Sequence, residues 1–148
     1  MNGILIRLMQ ESDLPAILTI ERESFPNPWS EQSFLCELRS KTNFSKFFVA
    51  ECSGGSIAGY AGVWFFYGEG HVANIAIKKD FRAKGIGKSL LNYIIAFARE
   101  KGAQKMFLEV AAKNLTARRL YKSFGFKEDG IRRNYYPGDD AMLMSCEI

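Results

Sequence analysis

A change of hydrophobic period between residues 74 and 110 constrains this chain more than any other feature. Asn74-Ile75-Ala76-Ile77 closes a strand-like stretch, and from Gly85 to Glu100 the residues Ile86, Leu90, Ile94, Phe97 and Ala98 recur at helical spacing. Residues 105–110, Lys-Met-Phe-Leu-Glu-Val, then return to strand character. Strand, helix and strand in so short a span predict a right-handed β-α-β crossover between parallel strands. Strand-like stretches at 46–52, 57–67 and 71–77 precede it, separated by Ser53-Gly54-Gly55-Ser56 and Gly68-Glu69-Gly70, which is hairpin order. A strand at 4–9 opens the chain. Ser12 or Asp13 is expected to cap a first helix, with Pro15 in its first turn, and Ser30 a second. Asn114 is expected to cap a fourth, ended by Gly125, and strands near 126–132 and 141–147 close the chain. The predicted order is βααβββαβαββ. This is an α/β sandwich with four helices on a mixed, mostly antiparallel seven-stranded sheet and one central parallel pair.

A length of 148 residues, with 47% hydrophobic and 24% charged residues, predicts one globular domain over 1–148. The net charge of +4 is unevenly placed: residues 1–80 carry a net of −2 and residues 81–148 a net of +6. The second part is thus suited to meeting an anion. Three dispersed cysteines (Cys36, Cys52, Cys146) and the single His71 argue against a disulfide framework or a metal centre, and point to a reducing cytosol. The N-terminal stretch lacks a signal-peptide core, and no apolar run is long enough to span a membrane. A cytoplasmic protein is expected.

The turn between strand and helix carries the chemistry. Arg82-Ala83-Lys84-Gly85-Ile86-Gly87-Lys88 puts cations and two glycines at the start of a helix. There, main-chain N–H groups lack intrahelical partners and the helix dipole is positive. This suits a pyrophosphate. Glycine spacing alone leaves an ordinary helix start equally open. The segment is neither a Walker A loop nor a dinucleotide fingerprint, since no G-x-x-x-x-G-K-[ST] is present and Leu90 stands where a third glycine would be.

Arg82-x-x-Gly85-x-Gly87 after a strand resembles the acetyl-CoA pyrophosphate motif of the GNAT acetyltransferase superfamily. Further segments are similar to its bacterial ribosomal-protein-alanine N-acetyltransferases, the RimI type. These are Phe25-Pro26-x-Pro28-Trp29-Ser30, Asn74-Ile75-Ala76-Ile77, Leu108-Glu109-Val110, Asn114 with Leu120-Tyr121-x-x-x-Gly125-Phe126, and Arg132-Arg133-Asn134-Tyr135-Tyr136-Pro137 before Asp140-Ala141. The resemblance implies acetyl-CoA as co-substrate and no metal. It implies that strand 74–77 parts from strand 105–110 to receive the pantetheine arm on the main chain of Ile75, Ala76 and Ile77. The pyrophosphate then lies on residues 82–88, and Asn114 contacts the coenzyme.

Two residues stand out as catalytic candidates. Glu109 lies among Met106, Phe107, Leu108 and Val110, on the same strand face as Phe107. Burial there would push its pKa upward, toward that of a useful base; a wet, inert strand-end carboxylate is the other reading. Tyr121 on the fourth helix reads as a core aromatic or as a phenol aimed at the coenzyme sulfur. The resemblance gives Glu109 the role of base and Tyr121 that of acid. His71 is a weaker alternative base.

The resemblance also implies that two loops flank the acceptor amine, 25–30 and 133–140. Phe25, Trp29, Asn74, Tyr135 and Tyr136 are the expected acceptor contacts, and Glu23, Asp139 and Asp140 would bind basic residues of the acceptor. Many relatives carry Arg directly after Leu-Glu-Val, where this chain has Ala111; the positive side chain beside Glu109 is either missing or replaced by Lys113. Arg118, Arg119 and Lys122 are expected to face the phosphorylated end of the coenzyme. The implied acceptor is a protein N-terminus, the alanine of a small-subunit ribosomal protein. A lysine side chain or a small-molecule amine is the alternative. A ribosome- or RNA-binding domain is disfavoured, because the basic residues fall on helices and the cradle loop rather than among stacking aromatics of a sheet.

Overall fold

The computed structural model describes residues 3–41 and 44–148. Its elements are β1 (Ile4–Leu8), α1 (Leu14–Ser24), α2 (Glu31–Arg39), β2 (Ser45–Cys52), β3 (Ile57–Phe66), β4 (Glu69–Ile77), α3 (Ile86–Glu100), β5 (Lys105–Ala111), α4 (Leu115–Ser123), β6 (Lys127–Tyr136) and β7 (Asp139–Glu147). The seven strands form one sheet in the order β1-β2-β3-β4-β5-β7-β6. β4 and β5 pair parallel and their neighbours antiparallel, as the sequence predicts.

Alternation along β2 divides the interior. Phe47 and Val49 turn toward α1 and α2, where they meet Ile17, Ile20, Phe34 and Tyr60. Phe48 and Ala50 turn toward α3 and its Leu90, Leu91 and Ile94. Tyr121 of α4 joins this second core. Among the described residues, no helix is long and apolar enough to cross a membrane.

The parallel pair is short. Glu69, Gly70 and His71 face Lys105, Met106 and Phe107, and pairing stops there. The cause lies on the other edge of β4. Gly62 faces Asn74 but Val63 faces Val72, so Ala73 is the extra residue of a β-bulge. A bulge bends and twists its strand. Beyond it, residues 74–77 run away from β5 and open a cleft.

Several sequence expectations need correction. Ser30 caps α2 by accepting the Ser33 N–H at 3.1 Å, but Asp13 gives α1 no side-chain cap. Its carboxylate instead receives both Nη atoms of Arg7, at 2.9 and 2.8 Å, because the guanidinium fork matches it. β4 starts at Glu69, so the turn before it is Tyr67-Gly68 alone. The expected loop 133–140 is mostly strand: β6 runs to Tyr136, β7 starts at Asp139, and Pro137-Gly138 makes the turn. A register shift between Arg132 and Tyr136 and a left-handed Asn134 (φ 53°) disguise that hairpin in the sequence.

Candidate active site

The cleft opened by the bulge has a volume of about 770 Å³. Ile75, Ala76 and Ile77 form one wall, Asn114, Ala117, Leu120 and Tyr121 of the α4 region face them, and Gly85, Ile86, Gly87 and Lys88 close the end. Lys78 N–H donates to the Ala58 carbonyl at 2.7 Å, so by alternation the Ile75 and Ile77 amides point away from β3; the Ile75 N–H is taken by its neighbour Asn74 Oδ1 at 3.2 Å, and the Ile77 N–H turns to the cleft side. Gly85 precedes α3 in the left-handed conformation, φ 85°, which a residue with a Cβ adopts only under strain. Gly87 has a different reason. A Cβ there would project toward Leu120 Cδ2 at 3.5 Å and Ile77 Cγ1 at 3.8 Å, across the cleft's own space. Both glycines leave the first turn of α3 free of side chains on the cleft side.

The cations divide. Arg82 lines the cleft, but its Nε donates to the Ile77 carbonyl at 3.0 Å and its Nη2 to Ser24 Oγ at 3.1 Å, which ties the cradle to β4 and α1. Lys88 and Arg119 line the cleft. Lys84 does not; its ammonium lies 5.6 Å from the Phe81 ring centre. Arg118 and Lys122 are engaged by Glu128, and Arg118 also by the Ala112 carbonyl, so of the three cations expected on α4 only Arg119 reaches the cleft. Asn114 both caps α4, accepting the Ala117 N–H at 3.1 Å, and lines the cleft.

Glu109 shares the sheet face of α1 and α2 with Asn74, on the opposite side of the splay, since Leu108 and Val110 turn to the α3 core. Its environment differs from the expected burial. The side chain is 33% exposed, and Arg132 Nη1 stands 3.5 Å away. Arg132, not Lys113, therefore supplies the positive charge beside Glu109. Lys113 donates its ammonium to the Gly138 carbonyl at 3.0 Å. Arg132 also lies over the Tyr135 ring at 5.1 Å, and the Tyr135 and Tyr136 rings meet edge-on at 4.9 Å. Burial and then the Glu109 charge push the Tyr136 hydroxyl up to about 12. The Tyr135 hydroxyl is raised chiefly by Glu109. Tyr121 is 5% exposed, and burial, with Tyr136 second, holds its pKa well above the usual phenol range. Tyr136 thus stands electrostatically between Glu109 and Tyr121.

Other residues expected at the acceptor end make contacts of their own. Glu23 accepts the Lys79 N–H at 3.0 Å, Asp139 those of Lys113 (2.9 Å) and Asp140 (2.7 Å), and Asp140 that of Asn134 (2.8 Å). These carboxylates hold turns together because unpaired N–H groups of bent chain need acceptors. His71 pairs with Glu69 at 3.2 Å, stacks on Phe107 at 5.1 Å and lies outside the cleft lining. Phe25 lines the cleft, while Trp29 packs with Phe34, Phe47 and Trp64. Thr116 and Ser123 line the cleft without having been singled out, since their spacing in a helix carries no distinctive signal. The buried Glu21 was missed too; its neighbours are far away in sequence.

The splayed parallel pair above a helix-terminal cradle is the architecture of a group-transfer enzyme that takes a nucleotide-bearing coenzyme. The acetyltransferase (GNAT) family pattern matches residues 14–126, and the chain belongs to this family. It is an acyltransferase. The ribosomal protein bS18-alanine N-acetyltransferase of Escherichia coli (strain K12) is 34% identical over 147 residues, covering 97% of each chain. A Bacillus subtilis (strain 168) relative, whose name provisionally assigns that activity, is 37% identical over 145 residues, 97% of this chain and 95% of its own. The crystal structure of the Escherichia coli ribosomal-protein-S18-alanine N-acetyltransferase superposes with a TM-score of 0.88 at 34% identity, covering 98% of this chain and 94% of that one. Ard1 from Thermoplasma volcanium shares the fold, with a TM-score of 0.90 at 24% identity over 99% of this chain and 98% of that one.

Proposed function

We propose that this chain acetylates the α-amine of a protein N-terminus, with the N-terminal alanine of a small-subunit ribosomal protein as its acceptor. The relatives' names and the Arg-Arg-Asn-Tyr-Tyr-Pro hairpin support the acceptor class. One observation carries the chemistry: Glu109 and Asn74 stand on one face of the splay, while Tyr121 lines the cleft from α4. An amine arriving from the α1/α2 face meets a carboxylate. A leaving group in the cleft meets a phenol.

Acetyl-CoA, when bound, supplies the thioester that is attacked. The cleft suits it, because the left-handed Gly85, with open space beside it, and the side-chain-free Gly87 fit a pyrophosphate against the first turn of α3. The Ile75 and Ile77 main chain suits an extended amide-bearing arm. Lys88 and Arg119 would add positive charge at the phosphorylated end. Glu109 takes the proton from the acceptor ammonium, directly or through water, and Arg132 holds its carboxylate in place. Cleft-facing main-chain N–H groups of β4 stabilise the developing oxyanion. Burial keeps Tyr121 protonated at working pH, so it holds a proton to share with the leaving thiolate, and contact with that charge must bring its pKa down before the proton transfers. On this reading the chain is one domain and works in the cytoplasm.

Mass spectrometry of peptides beginning with Ala, Ser, Thr and Met, incubated with acetyl-CoA, tests the proposal. Acetyl on the α-amine, with Ala preferred, is the expected result. Modification of lysine side chains alone would refute it.

A further inference from the structure

The α1/α2 core contains a carboxylate that no catalytic step above uses. Glu21 on α1 is 1% exposed, among Ile17, Ile20, Phe34 and Tyr60. Its Oε2 accepts the main-chain N–H of Trp29 at 2.8 Å. Its Oε1 accepts Asn74 Nδ2 at 2.8 Å and the Tyr60 hydroxyl. All three partners are neutral donors. Burial raises its pKa, and the bonds from Trp29 and Asn74 oppose that shift. An apolar residue would pack here at less cost, so a carboxylate calls for a reason.

Its partners supply one. Trp29 belongs to the 25–30 segment, one proposed side of the acceptor entrance. Asn74 is the first residue of the splayed stretch of β4, directly after the bulge at Ala73. With its amide nitrogen held by Glu21, the Asn74 Oδ1 accepts the Ile75 N–H at 3.2 Å. One carboxylate thus joins the acceptor side to the coenzyme strand and fixes which way the Asn74 amide faces.

We propose that Glu21 is a positioning residue for the acceptor, acting through Asn74 and the Trp29 main chain to set the shape of the entrance. The proposal rests on the acceptor reading above only for the identity of the amine.

Glu21→Gln is the informative change, because it keeps size and puts a donor among donors. If its NH₂ faces Trp29, the loop loses its anchor. If it faces Asn74, that amide must flip and release the Ile75 N–H. Three measurements on the full chain test the idea: amide exchange by segment, acetyl-CoA Kd by calorimetry, and KM for an Ala-initiated peptide. Expected for Glu21→Gln are faster exchange in 25–30 but not in α3, a peptide KM raised roughly tenfold, and acetyl-CoA Kd changed less than about twofold. The double variant Glu21→Gln/Asn74→Ala should lose no more than the worse single variant, as residues acting through one another do. Multiplied single losses would overturn the proposal. So would unchanged exchange in 25–30, or equal losses for peptide and coenzyme. If Glu21→Gln does not fold, Tyr60→Phe removes one donor and keeps the ring. It should raise the peptide KM about threefold with faster exchange in 25–30, and no change in either would overturn the proposal. A wild-type chain that modifies no N-terminal amine would sink the acceptor reading, while the exchange data would still judge the tie.

Discussion

The coenzyme cleft and the acceptor entrance adjoin each other but are built differently. The cleft presents main chain: the backbone of residues 75–77, the first turn of α3, and two glycines that keep side chains away. The entrance presents side chains, Glu109, Arg132, Tyr135 and Tyr136, joined by one ion pair from β5 to β6 and by local ring contacts within β6. A main-chain site recognises what every coenzyme molecule shares and tolerates drift elsewhere. A side-chain site can change its acceptor by one substitution. On the function proposed above, the coenzyme chemistry falls to the first region and the choice of acceptor to the second.

That division breaks most readily at the two proposed proton carriers. Glu109→Gln and Tyr121→Phe should each lower kcat about a hundredfold or more, with acetyl-CoA Kd nearly unchanged. Kinetics and calorimetry on the same preparations check this. A matching loss of coenzyme affinity in Glu109→Gln would show that the two regions are not separable. The pH profile sharpens the Tyr121 assignment. Burial raises its pKa above the ordinary phenol value, so the donor form persists up to and beyond about pH 10. The kcat should therefore not fall between about pH 8 and 10 through loss of that proton. An alkaline limb in that window that vanishes in Tyr121→Phe would contradict the environment described for it.

The next largest effects belong to the glycines, and the two should fail differently. Gly87→Leu places a side chain in the cleft between Leu120 and Ile77 and should weaken acetyl-CoA binding at least roughly tenfold, with a smaller effect on Tm. Gly85→Ala forces a Cβ into a left-handed position and should cost about 1 kcal/mol in chemical denaturation. If Gly87→Leu left coenzyme affinity intact, the cradle would not be the coenzyme's seat.

Legibility followed the same line. The period switch at residue 85, the glycines and the Asn114 cap are local signals, so the fold order and the cleft could be read from neighbours in sequence. Tyr121 was readable in place but not in state, because its burial depends on packing against Phe126 and the α3 core. The entrance was harder. The fates of Glu23, Asp139 and Asp140 are set by N–H groups that fold up against them, and Arg132 replaces the missing Arg after Val110 from 21 residues further on. The 133–140 hairpin was hidden by a bulge and a left-handed Asn134 that no turn signature marks. Glu21 left no local trace because its three partners lie 8, 39 and 53 residues away.

The smallest effect separates two adjacent arginines. Arg119 lines the cleft, whereas Arg118 is spent on Glu128 and the Ala112 carbonyl. An exposed cation near a phosphate is worth little at physiological salt. Arg119→Ala should raise acetyl-CoA Kd about threefold at low salt, and the difference should shrink as salt is added. Arg118→Ala should leave Kd unchanged and lower Tm, because Glu128 then loses one of its two cations and the start of α4 its link to the Ala112 carbonyl. Paired calorimetry and melting curves for the two variants decide it. If Arg118→Ala weakened coenzyme binding as much as Arg119→Ala does, the charge of the second half would act as a diffuse field rather than through the residues that line the cleft.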